Sequence, residues 1–143
     1  MKKHAFTAPV FLAQEGHVYD VIQKKYLGYG KEFKVNFIPG TATVLSVTAD
    51  KPDFEVAQTP VEAKRGQTLK IPVKTGTQER YFVLMRVFRP DGKEELAARQ
   101  MRTVDPDQTF TLPLPFNAPT GLWRITFDDA ASNLHFERKV NVQ

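Results

Sequence analysis

Residues 68–74 read Thr68-Leu69-Lys70-Ile71-Pro72-Val73-Lys74, with a large apolar side chain at every second position. A period of two puts Leu69, Ile71 and Val73 on one face of an extended chain, whereas a helix would scatter them around its axis. The segment is therefore a half-buried strand. The same alternation recurs on either side of it: Phe54 and Val56; Val83, Met85 and Val87; Phe110, Leu112 and Leu114; Trp123, Ile125 and Phe127; Leu134, Phe136, Val140 and Val142. Between these rows stand Lys64-Arg65-Gly66-Gln67, Arg89-Pro90-Asp91-Gly92 and Asn117-Ala118-Pro119-Thr120-Gly121, whose residues set φ or accept positive φ in turns. Together they predict an all-β fold in which the apolar rows meet between two sheets about 10 Å apart.

Working outward, strands are expected at 9–13, 17–22, 32–38, 43–48, 53–58, 61–63, 68–74, 80–89, 109–114, 121–128 and 133–142. Residues 94–102, Glu-Glu-Leu-Ala-Ala-Arg-Gln-Met-Arg, have helical propensity but no convincing cap, and are taken as a strand. Two segments are distinguished. Residues 1–50 form a small antiparallel β segment; residues 51–143, starting at Lys51-Pro52-Asp53, hold about seven strands, the usual content of an immunoglobulin-like β-sandwich. The short connection, free of any Ser/Gly run, predicts that the two pack together.

Composition bounds the function. The chain has 143 residues, 41% of them hydrophobic and 25% charged, which is the globular range. With no cysteine there is no disulfide, thiol nucleophile, cysteine-type zinc site or iron–sulfur ligation. The net charge of +4 is dispersed, since Lys24-Lys25, Lys64-Arg65 and Arg86/Arg89 alternate with acids and apolar residues. Without a nucleic-acid-binding motif beside them, they read as solvated strand faces and turns. No apolar run approaches the ~18 residues of a membrane span. The start Met1-Lys2-Lys3-His4 is basic, but the apolar stretch behind it is short, interrupted by Pro9, and ends at Gln14-Glu15-Gly16. No secretory leader is expected from it. If the chain belongs to an exported multidomain protein, it lies in the periplasm or outside the cell.

Catalytic chemistry is not expected. His4, His17 and His135 are far apart and lack a second ligand at metal-binding spacing. The acids Glu94-Glu95, Asp105/Asp107 and Asp128-Asp129 could in principle supply a glycosidase pair or a calcium loop, but neighbouring acids on a strand point to opposite faces, and the latter two pairs fall where the chain is expected to reverse. Neither a cofactor nor a metal is implied. Binding residues are easier to nominate. Tyr81-Phe82-Val83-Leu84-Met85-Arg86-Val87-Phe88 is apolar on both faces, so with Val83, Met85 and Val87 inward, Phe82, Leu84 and Phe88 form an outward strip suited to docking a neighbouring domain or subunit. Tyr26 and Tyr29, bracketing Gly28, are the candidates for carbohydrate contact. Trp123 shares its face with Ile125 and Phe127 and is expected in the core.

A family resemblance enters at Arg89-Pro90-Asp91-Gly92-Lys93 and at Pro119-Thr120-Gly121-Leu122-Trp123. The chain resembles the macroglobulin-like or fibronectin-like sandwich domains of large bacterial multidomain proteins, where one strand ends at Pro-Asp-Gly and a later one starts Pro-Thr-Gly-x-Trp. Its first segment, through Val18-Tyr19-Asp20-Val21, Tyr26-Leu27-Gly28, Phe33-Lys34-Val35 and Pro39-Gly40, is similar to the C-terminal β-domain of glycoside-hydrolase-like proteins related to β-galactosidases. The resemblance implies a non-catalytic accessory region of a larger protein, whose catalytic residues would lie in other domains. It departs from the pattern at 94–101, where helix formers replace a clear strand. Two alternatives accompany this reading: a carbohydrate-binding module, and a stand-alone adhesion-type sandwich.

Overall fold

The computed structural model describes residues 4–143; the basic start of the chain, apart from His4, lies outside the described residues. Strand accounts for 59% of the chain and helix for 2%, so the fold is all-β. The chain divides into two compact units. One comprises the residues up to Pro52 together with Ala131–Asn133; the other comprises Asp53–Ala130 and Leu134–Gln143.

The first unit is a three-stranded antiparallel sheet of β1 (Phe6–Asp20), β2 (Lys25–Phe37) and β3 (Leu45–Thr48), in the order β2-β1-β3. Where the sequence suggests separate strands at 9–13 and 17–22, β1 runs through unbroken. Its ladder with β2 jumps from Phe11↔Glu32 to Gly16↔Gly30, so the polar residues Gln14 and Glu15 are absorbed in an irregularity instead of ending the strand. Gly16 is required where β3 joins: a Cβ there would stand 2.8 Å from the Thr48 carbonyl oxygen. Val18, Phe33 and Val35 are buried, with Val10, Leu12, Leu27, Phe37 and Leu45 packed on them.

The second unit is a β-sandwich. One sheet has the order β5 (Glu62–Ala63), β11 (His135–Val142), β10 (Gly121–Asp129), β7 (Tyr81–Phe88), β8 (Gln100–Val104); the other has β4 (Phe54–Val56), β6 (Thr68–Thr75), β9 (Asp107–Pro113). All pairings are antiparallel except β5 with β11. The inward rows are those of the alternation. Leu69, Ile71 and Val73 face Val83, Met85, Val87, Ile125 and Phe127 across a core in which Phe110 meets Phe127 edge to face at 5.4 Å. Trp123 is 2% exposed and its indole N–H donates to the Pro119 carbonyl at 2.8 Å, which satisfies the ring's polar atom inside the sandwich.

Three local expectations are corrected. Of residues 94–102 only the last three are strand: a single 3-10 turn at Leu96–Ala98 precedes β8, which begins at Gln100 and pairs with β7 from Met85↔Gln100 to Tyr81↔Val104. Asp128 and Asp129 are not turn residues but the last two of β10, one facing outward and the other buried. In β11 the inward position between Phe136 and Val140 belongs to Arg138, and Leu134 and Phe136 are only partly buried. The Arg138 guanidinium escapes the core by donating to the carbonyls of Val56 and of Ala57, the latter at 3.1 Å, and so ties one sheet to the end of β4 in the other. The Arg89–Gly92 turn closes as its residues suggest, with Gly92 N–H donating to Arg89 O at 2.9 Å and Gly92 at φ 80°.

Candidate functional site

Directly paired residues of an antiparallel ladder share a face, so the outer surface of the five-stranded sheet can be read row by row. Phe88 stands beside Arg124, and Arg124 beside Lys139; Arg86 beside Thr126, and Thr126 beside Glu137; Met101 beside Leu84, then Asp128 and His135; Thr103 beside Phe82. The rows differ in character. Around Phe88 the surface is a lattice of charge. The Arg124 guanidinium lies 4.2 Å from the ring centroid of Phe88, and Glu137 takes contacts from Arg124 and Lys139, both at 3.4 Å. Arg99 binds Glu94 through two hydrogen bonds of 2.8 Å.

Asp128 joins two rows, 2.9 Å from Arg86 in the one and 2.6 Å from His135 Nδ1 in its own. Desolvation pushes its carboxyl upward, but hydrogen bonds from His135 and Arg86, with the charges of both, outweigh that and hold it below the ordinary value. Glu94 is likewise lowered, by the hydrogen bond from Arg99 first, against desolvation.

The strip of Phe82, Leu84 and Phe88 is therefore not one surface. Phe88 is half-buried beneath guanidinium, while Phe82 is 52% exposed and Leu84 is half-buried next to Met101, which is 61% exposed. The apolar patch consists of Phe82, Leu84 and Met101. Met101 was not foreseen, because its face depends on where β8 begins, and the helix-forming residues before Gln100 hide that point.

In the first unit, Tyr26 and Tyr29 part company. Tyr26 is half-buried: its hydroxyl meets His17 Nδ1 at 2.9 Å, its ring lies 4.9 Å from that of the buried Tyr19, and the Lys51 ammonium sits 5.6 Å from its centroid. Its ring is occupied by packing. Tyr29 is 55% exposed and tilted against His17 at 4.9 Å. Desolvation, the charge of Glu15 and a hydrogen bond to Glu15 raise its hydroxyl above the ordinary 10.0, so the exposed ring carries a carboxylate at its edge.

At one end of the sandwich a cavity of about 250 Å³ is lined by Trp123, Pro115, Pro119, Leu112, Ala97 and Arg89. Arg89 Nε is buried without a hydrogen bond, its nearest acids being Asp91 at 3.8 Å and Glu95 at 3.9 Å. Among the described residues no three His, Asp or Glu side chains come together as a metal site, and no helix is long and apolar enough to cross a membrane. No family model matches this chain, and no curated protein matches it either.

Proposed function

We propose that this chain is a non-catalytic docking module of a larger assembly, a β-sandwich whose outer sheet presents Phe82, Leu84 and Met101 to an apolar surface on a neighbouring domain or subunit. The observation that carries it is the adjacency of these three side chains on β7 and β8, two of them more than half exposed, beside the ion pairs Arg86–Asp128 and Arg124–Glu137. Full burial of a Leu, Met or Phe side chain stabilises by about 1.5–3 kcal/mol, so covering what remains exposed here yields a few kcal/mol before the cost of association. The surrounding ion pairs suit a rim, where charge sets register more than affinity. The resemblance to sandwich appendages of bacterial multidomain proteins, including those of glycoside-hydrolase-like proteins, supports the same role. The test is light scattering of the intact chain across concentration beside a Phe82→Ser/Leu84→Thr/Met101→Thr variant. Association in the first that is lost in the second, at an unchanged unfolding midpoint, is expected. A chain that stays monomeric, with a variant indistinguishable from it in scattering and midpoint, overturns the proposal.

One observation favours a second reading, carbohydrate binding, which rests on Tyr29 alone: an exposed ring flanked by Glu15 offers a stacking face and an acceptor for sugar hydroxyls. Saturable oligosaccharide-induced shifts at Tyr29 that vanish in Tyr29→Ala would support it, and their absence removes it.

A further inference from the structure

Between the turn that joins β1 to β2 and the loop that leads through Pro39-Gly40 into β3, the first unit encloses a cavity of about 240 Å³. The loop is held open by a tight turn, with Thr41 N–H on the Ile38 carbonyl at 3.0 Å and Gly40 at φ 78°, where a side chain would be strained. The Val21 N–H donates to Val44 O at 2.8 Å and closes the far side. Into this space faces Asp20, which is 5% exposed. Its Oδ1 accepts the Gln23 backbone N–H at 2.8 Å, which fixes the turn. Among the described residues no cation forms an ion pair with it: Lys25 stands opposite Asp20 in the β1–β2 ladder but makes no such contact.

The Asp20 carboxylate faces the cavity with its one hydrogen bond on Oδ1, which leaves Oδ2 to accept from a bound cation. The remaining lining selects among cations. Asn36, Thr41 and Thr43 supply neutral oxygens that can accept further N–H bonds, while Ile22 and Ile38 give apolar walls, 56% and 39% exposed, along which methylene groups can lie. No basic residue lines the cavity, so nothing in it favours an anion. We propose that this cavity is a binding site for an alkylammonium group, whether a free aliphatic amine or the side chain of a lysine. The ammonium donates to the Asp20 carboxylate in a charge-assisted hydrogen bond and its stem lies between Ile22 and Ile38. The site is independent of the apolar patch on the sandwich.

The experiment is an amide-resolved NMR titration of the intact chain with n-butylammonium chloride, with n-butanol, and with a short lysine peptide in free and Nε-acetylated forms. One charge-assisted contact and a short stem correspond to a Kd in the region of 1 mM. Saturable shifts at Asp20–Gln23 and Thr41–Thr43 are expected with butylammonium and none with butanol at equal concentration. Shifts with the free peptide that acetylation abolishes assign the site to lysine side chains; shifts with butylammonium alone assign it to small amines. Asp20→Asn keeps Oδ1 for the Gln23 N–H, and therefore the turn, but removes the charge, and should weaken binding at least tenfold. Equal affinity for butanol, undiminished affinity in Asp20→Asn, or no saturable shift up to about 50 mM butylammonium, fifty times that Kd, overturns the proposal; the butanol comparison is made on the unaltered chain and holds even if the variant folds poorly.

Discussion

The two units differ in how they are held together. The sandwich buries a continuous set of aromatic and branched side chains from both sheets, among them Trp123, Phe54, Phe110 and Phe127, whereas the first unit buries Tyr19 and a small cluster of Val18, Phe33 and Val35 among half-exposed side chains. Stability follows buried apolar area, so the sandwich is the scaffold. The first unit leans more on its ladder and turns. There the structure leaves an exposed ring at Tyr29 and a carboxylate, Asp20, facing a cavity.

The widest test of that contrast compares one residue from each core. Trp123→Ala removes a fully enclosed ring together with its hydrogen bond to Pro119, and should destabilise the sandwich by about 3–5 kcal/mol. Val35→Ala removes two methyl carbons from the small core, about 1.5 kcal/mol at ~0.8 kcal/mol per buried carbon, before any relaxation. Hydrogen exchange of β10 amides in the first variant and β2 amides in the second measures both. Equal losses in the two variants would break the contrast, because they would mean that the first unit is packed as tightly as the sandwich.

How much was legible from residues alone follows the same division. In the sandwich, alternation identified the inward rows of β6, β7 and β10, because the large apolar side chains taken as inward in each strand share one face and are the buried ones. It failed where a side chain's face depends on a partner strand. At 94–102 local propensity pointed to helix, while pairing with β7 made an edge strand of the last residues, and the register that sets Met101 beside Leu84 is decided there. In the first unit, β1 was divided at Gln14-Glu15 because polar residues resemble a turn, although the ladder absorbs them as an irregularity. The cavity at Asp20 had no local signature, since it is formed by two loops about twenty residues apart.

Arg138 sharpens the comparison at intermediate size, because there a cationic side chain takes an inward position of the sandwich. It occupies an inward position and reaches the carbonyls of Val56, the last residue of β4 paired with β6, and of Ala57 just beyond it. Arg138→Met keeps the apolar stem but leaves both carbonyls without their guanidinium donors. Hydrogen bonds from charged groups contribute about 1.5–3 kcal/mol when buried, and water can reach the edge of a sheet, so a loss of about 1–2 kcal/mol is expected by denaturant unfolding. A neutral or stabilising change would show that the methionine packs better there than the arginine bonds.

The smallest effect is electrostatic and belongs to the outer face of the sandwich. In the folded chain Asp128 sits below its ordinary value of 3.8: desolvation raises it, and hydrogen bonds from His135 and Arg86, with their charges, lower it by more. A carboxyl held low by folding binds fewer protons folded than unfolded, so acid favours the unfolded chain. Its stabilising contribution is complete above the ordinary value and is lost as pH falls through the lower, folded one. Both partners are partly exposed, Arg86 at 38% and His135 at 49% of the side chain, which confines the effect to the scale of surface pairs, about 0–1 kcal/mol. Asp128→Asn removes the titration while keeping an acceptor for Arg86. Unfolding midpoints measured from about pH 5 down to about pH 2 should therefore fall less steeply in the variant than in the parent, with the two curves drawing together at the acid end. Parallel curves over that range would mean that the Arg86–Asp128–His135 cluster orders the face without stabilising it, and that the charged lattice around Phe88 serves the contact surface instead of the fold.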